Sequence, residues 1–216
     1  MAHQIGNLRI LGIGGLIAVM AALFVLLSPA ALTDSKIPVL LEHPKVPNAA
    51  TLTGPRAEAI YQAVRGQLRK GYLQAGDPIA EAYQSWRRFN QTPYRSPNHG
   101  ERFVNHYGNA EAADYAKFEN LSPLPDGAII IKDSFAITRN GDLTIGPFFM
   151  MEKMPVGFPS LAGTWRFMML RGDGTLVGVT DGYGTEKVRF CAECHHNAGA
   201  QHDYLFFMPR QARIKP

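Results

Sequence analysis

Residues 165–180 read WRFMMLRGDGTLVGVT. Trp165 to Leu170 is a run of large apolar and aromatic residues broken only by Arg166. Gly172-Asp173-Gly174 is a hairpin turn signal, because glycine enters positive φ without a Cβ penalty. Thr175 to Thr180 then returns as a second strand. Outward from this hairpin the pattern repeats. Pro123, Pro125, Asp126 and Gly127 mark a turn before the short apolar run Ala128-Ile129-Ile130-Ile131. Thr144 to Met151 is a further strand, interrupted by Gly146 and Pro147. Strands that follow one another through turns make an antiparallel sheet. The helical patterns come mostly before it. Pro55 suits a first helical position, and Ile60, Val64 and Leu68 recur every four residues up to Tyr72. Asp77 is an N-cap with Pro78 at N1, followed by the stripe Ile79, Tyr83, Trp86 and Phe89. Gln91 to Gly100 reads as a loop, and Ala110 to Glu119 as a third short helix capped by Asn109. The order predicts an α+β fold: an antiparallel β-sheet with flanking helices.

The chain has 216 residues, 46% hydrophobic and 19% charged, enough for one domain with a core. Its net charge of +4 is spread without a basic block, which argues against a nucleic-acid partner. Ile10 to Leu32 contains no charge, and Arg9 precedes it. This N-terminal hydrophobic helix exceeds a typical cleavable core of about 7–15 residues and nears the roughly 20 needed to span a bilayer. Residues 1–32 are therefore a signal peptide cut near Ser28-Pro29-Ala30, or a membrane anchor if retained. Either predicts export. Residues 33–54, with Pro38, Pro44 and Pro47, read as an extended tether, and 55–97 as a helical segment.

The only two cysteines stand in Cys191-Ala192-Glu193-Cys194-His195. C-x-x-C-H is the attachment signature of c-type haem. On a helix, positions i, i+3 and i+4 share a face, so two thiols can bond one porphyrin edge while the imidazole reaches the iron. Covalent haem attachment takes place on the exported side, where the N-terminus sends the chain. Three other readings compete: a disulfide, a zinc site with His196 and His202, and a thioredoxin-like redox pair. Structural zinc asks for a second ligand pair at defined spacing, and the redox pair for a βαβ setting. The favoured reading is one covalently attached haem c with His195 on the iron. The motif lies late in the chain, and Met208, the one methionine beyond it, reads as core.

The segments Arg102-Phe103-Val104-Asn105-His106-Tyr107, Leu124-Pro125-Asp126-Gly127, Lys132-Asp133-Ser134-Phe135, Met151-Glu152-Lys153-Met154, Trp165-Arg166-Phe167 and Cys191 to His195, in this order, resemble the cytochrome P-460 family. The resemblance covers about residues 98–210, and residues 98–216 are taken as the haem domain. It implies a c-type haem near the C-terminal part of an antiparallel sheet, and often a homodimer. It also implies hydroxylamine oxidation or nitric oxide binding, and in the enzymes a lysine cross-linked to the porphyrin. Lys132 is the matching lysine, with Lys153 a weaker match.

The strand-end position of Lys132 lets it face pocket or solvent. Oxidation of hydroxylamine acidifies its N–H groups and calls for a proton acceptor. Glu186 is the candidate, five residues before Cys191, where family enzymes carry an acid. A helix-start glutamate that complements the dipole is the plainer reading. Arg102, and with less claim Arg166, are candidates for a haem propionate. His99 and His106 read as structurally satisfied. Three functions follow. The first is an exported haem enzyme that oxidises hydroxylamine and passes electrons to a periplasmic redox carrier. The second is a module that captures nitric oxide in a pocket of Phe135, Phe148 and Phe149. The third is a simple electron-transfer cytochrome.

Overall fold

The computed structural model describes residue 52 and residues 54–214. The export segment 1–32 and nearly all of the tether 33–54 lie outside the described residues. Among those described, no helix is long and apolar enough to cross a membrane.

Helix α1 spans Gly54–Tyr72 and buries Ala57, Tyr61, Val64, Leu68 and Tyr72; of the predicted stripe Val64, Leu68 and Tyr72 are buried, while Ile60 is half-buried beside Tyr61. Helix α2 is short, Pro78–Ala82, with Asp77 accepting from the Ile79 amide at 2.7 Å. It was predicted to run on to Phe89. Instead a 3-10 turn at Tyr83–Ser85 ends it, and Trp86 is extended. Strand β1 (Arg87–Arg88) then begins, and the Phe89 amide donates to the His106 carbonyl at 2.9 Å. The supposed loop holds strand β2 (Tyr94–Ser96) and a 3-10 turn, Pro97–His99. Residues 55–97 therefore carry two sheet strands besides their helices.

The remaining strands are β3 (Arg102–Gly108), β4 (Ile129–Ile137), β5 (Leu143–Ile145), β6 (Phe148–Lys153), β7 (Trp165–Leu170) and β8 (Leu176–Val179). All pair antiparallel in one sheet ordered β1-β3-β4-β6-β7-β8, with β2 also on β3 and β5 on β4. The fold is α+β. Gly146 and Pro147 divide the single strand predicted over 144–151 into β5 and β6. The helix predicted at 110–119 is a 3-10 stretch, Ala113–Asn120, interrupted at Phe118 with φ 50°. Asn109 accepts from the Ala112 amide at 3.2 Å, as a cap would.

Strand β4 is central and buried on both faces. Ile131 and Phe135 point into a core shared with Tyr61, Val64, Leu68 and Tyr72 of α1. Ile130 points the other way, into a core with Trp165, Phe167, Leu205 and Met208. Helix α3 (Thr185–His196) covers that second face, packed on β7 and β8. Gly184, at φ 62°, turns the chain into α3 beside Gly178.

Candidate functional site

A cavity of about 490 Å³ lies on the α3 side of the sheet. Strands β4, β6 and β7 line it with Ile130 and Lys132, Phe149 and Met151, and Phe167 and Met169. Each pair is two residues apart, so the pleat aims both side chains at one face. Helix α3 contributes Phe190, Cys191, Cys194 and His195, and the C-terminal segment Phe206, Phe207 and Pro209. Residues 94–100 and Arg102, including Arg95 and His99, complete the wall.

His195 is 6% exposed. Its Nδ1 lies 2.8 Å from the Tyr204 carbonyl oxygen, which can only accept. Nδ1 therefore carries the hydrogen, and Nε2 keeps its lone pair for an iron ion. Phe167 and Phe206 flank the ring at 5.2 and 5.4 Å. Burial first, then the Lys132 charge, push its pKa down to about 3, against the pull of the Tyr204 bond. The imidazole is thus neutral, the form that binds metal. Burial likewise pushes the Cys191 thiol up to about 11.

These residues suit a haem. Two unbridged thiols and one neutral imidazole stand on one helix beside an apolar wall of the size a small cofactor needs. The lining includes Arg95, Arg102 and Lys132 but no carboxylate, which favours a cofactor that brings carboxylates of its own. The zinc alternative finds no support: among the described residues no three His, Cys, Asp or Glu side chains gather as a metal site.

Lys132 needs a correction. It does not end its strand; it is the fourth residue of β4, 7% exposed, and its ammonium faces the cavity. Burial pushes its pKa down to about 8, with the two thiols pulling weakly the other way. Its Nζ lies 3.3 Å from His99 Nε2. His99 Nδ1 in turn lies 2.8 Å from the Ser96 hydroxyl, and Phe149 meets the ring edge-on at 5.0 Å. Burial and the charges of Lys132, His195 and Arg102 push His99 down to about 2.

Glu186 is exposed on the first turn of α3 and does not itself line the cavity, though it stands one helical turn before Phe190, which does. Phe135 and Phe148 lie in the core on the opposite face, and of the three proposed phenylalanines Phe149 alone reaches the cavity. Lys153 is paired with Asp203 and sits 5.1 Å over the Trp165 ring. Arg166 pairs with Glu152. Arg102 lines the cavity, its guanidinium donating to the His99 carbonyl at 3.1 Å. His106 is fully paired, with Tyr94 at 2.7 Å and Tyr115 at 3.1 Å. Met208 is core, as expected. Ser96 and Tyr94 are residues that sequence reasoning passed over, and His99 it read as structurally satisfied; their one signal is the polar run Tyr94-Arg95-Ser96-Pro97-Asn98-His99 after Pro93.

The family model for cytochrome P460 matches residues 80–207, well over half of the chain. The match begins within α2, so it takes in β1 and β2, ahead of the resemblance read from the motifs. No curated protein matches the chain.

Proposed function

The chain belongs to the cytochrome P460 family, and from that premise we propose that it is an exported mono-haem c protein that oxidises hydroxylamine. Cys191 and Cys194 form the thioethers, His195 is the axial ligand and Lys132 is a third covalent attachment to the macrocycle. One observation carries this reading: the cavity that holds both thiols and the His195 imidazole also holds a buried, cavity-facing lysine. When bound, the haem supplies the centre that takes electrons from the substrate. The Tyr204 carbonyl fixes the His195 tautomer, and Phe149, Phe167 and Phe206 keep bulk water from the cavity. Arg102 holds a propionate. Glu186, one helical turn from the cavity-lining Phe190, takes the proton that the substrate releases. A periplasmic carrier takes the electrons, and export follows from the segment before residue 33. A second reading is favoured by the lack of a cavity carboxylate: an apolar wall of this kind suits capture of neutral nitric oxide without turnover.

Protein made with the haem-attachment machinery is expected to carry one haem on the peptide of Cys191 and Cys194, with a second peptide containing Lys132 joined to it. It is expected to consume hydroxylamine with an added electron acceptor. His195→Ala should lose axial ligation and its spectrum. Binding of nitric oxide with no hydroxylamine turnover would replace the enzyme reading by the second one.

A further inference from the structure

Lys132 has one hydrogen-bond partner among the described residues, His99. An ammonium only donates, so His99 Nε2 must be the nitrogen with the lone pair. Nδ1 then carries the hydrogen and donates to the Ser96 hydroxyl at 2.8 Å. The ring is held from two sides, by that bond and by the edge-on Phe149. Its lone pair is thus aimed at Nζ before any cofactor arrives. The cavity offers no carboxylate in its place.

We propose that His99 is the proton acceptor for the bond that joins Lys132 Nζ to the macrocycle, so that Ser96, His99 and Lys132 form a device for maturing the cofactor. This rests on the reading of Lys132 as a covalent attachment. Burial leaves part of Lys132 as the free amine near neutral pH, and thioether formation removes the two thiols that favour its charge. Forming the N–C bond breaks one N–H and one C–H bond and releases two electrons and two protons. A peroxide takes both electrons and is reduced to two waters. Nitrogen that is bonding to carbon becomes acidic, and its proton passes by way of His99 Nε2 to the departing oxygen, which keeps it as water.

The test uses the full chain loaded with haem, treated with hydrogen peroxide, and digested. The readout is the yield of the Lys132 peptide joined to the Cys191–Cys194 haem peptide. His99→Leu is expected to slow this joining about 100-fold, the low end of general-base effects, while the thioethers form normally and report that the chain has folded. His99→Gln, which keeps a hydrogen-bond acceptor but no base, should be as slow as His99→Leu, and recovery of the rate by glutamine would show that His99 only positions Lys132. Ser96→Ala, which only frees Nδ1, should fall between wild type and His99→Leu. Joining in His99→Leu at the wild-type rate overturns the role of His99. A wild-type protein that never joins Lys132 overturns the Lys132 reading itself, and this role with it.

Discussion

Asp133 shows how one residue in a central strand can be polar and still belong to the core. It is fully buried beside Lys132 and faces the opposite side of the sheet. It accepts from Tyr61 at 2.9 Å, Tyr83 at 3.1 Å and Asn105 at 2.8 Å. Burial still prevails over these donors and pushes its pKa from 3.8 up to about 6. The folded value lies above the unfolded one, so the fold favours the protonated carboxyl. That stabilisation is complete below the unfolded value and is lost as pH rises through the folded one. Between about pH 7 and pH 4, wild type should gain up to about 3 kcal/mol relative to Asp133→Asn. Denaturant unfolding of both proteins across that range checks this, and a constant difference would refute it. Comparing the two cancels the contributions of the buried histidines, which run the other way. Lys132 and His99 on the other face are also buried and bonded to each other, and there burial favours the deprotonated forms.

At the scale of elements, α3 sets the whole site, and its placement depends on a close approach to β8. Gly184 has φ 62°, and a Cβ there would stand 2.6 Å from the Val177 carbonyl oxygen and 3.2 Å from Gly178 Cα. Gly184→Ala therefore meets both backbone strain and a clash. It should lower stability by at least about 1–2 kcal/mol, and it should lower the yield of covalent haem by shifting Cys191 and Cys194 away from the sheet. Thermal unfolding and haem content check the two effects separately. Unchanged stability would show that the α3–β8 seat yields easily. Strand β3, which the sequence reading missed, carries Asn105 and His106 at its centre, and β4, read only to Ile131, carries Lys132-Asp133-Ser134 beyond that point. Polar runs of that kind look like strand ends, because burying a polar group is costly unless it is hydrogen-bonded. Here each finds its partner on another element: Asn105 on Asp133 and Asn90, His106 on Tyr94 and Tyr115, Ser134 on Pro147.

For the molecule as a whole, the C-terminal segment closes one end of the cavity and ties distant parts together. Asp203 accepts from the Leu124 amide at 3.0 Å and from Lys153, whose side chain is 11% exposed against 5% for Asp203. Arg213 then reaches Glu119 with two bonds of 2.8 and 2.7 Å. Removing one member of a buried ion pair leaves the other charge uncompensated, so Asp203→Ala should cost about 3–5 kcal/mol. It should also loosen the Tyr204 carbonyl that holds His195, which an altered axial-ligand spectrum would report. A loss below about 1 kcal/mol, the range of exposed pairs, would show that the pair is solvated instead. Local rules were enough for the hairpin at 165–180, the α1 stripe, the Asp77 cap and the C-x-x-C-H face of α3, because each depends on spacing within one segment. Those rules also brought Cys191, Cys194 and His195, the candidate haem residues, to one cavity wall. They put Glu186 near the start of α3, where it is exposed one turn from the cavity-lining Phe190. They read His99 as structurally satisfied without its partner, a lysine in a strand 33 positions away. Partners that satisfy a buried charge are chosen by packing between elements, and no periodicity in either segment records that choice.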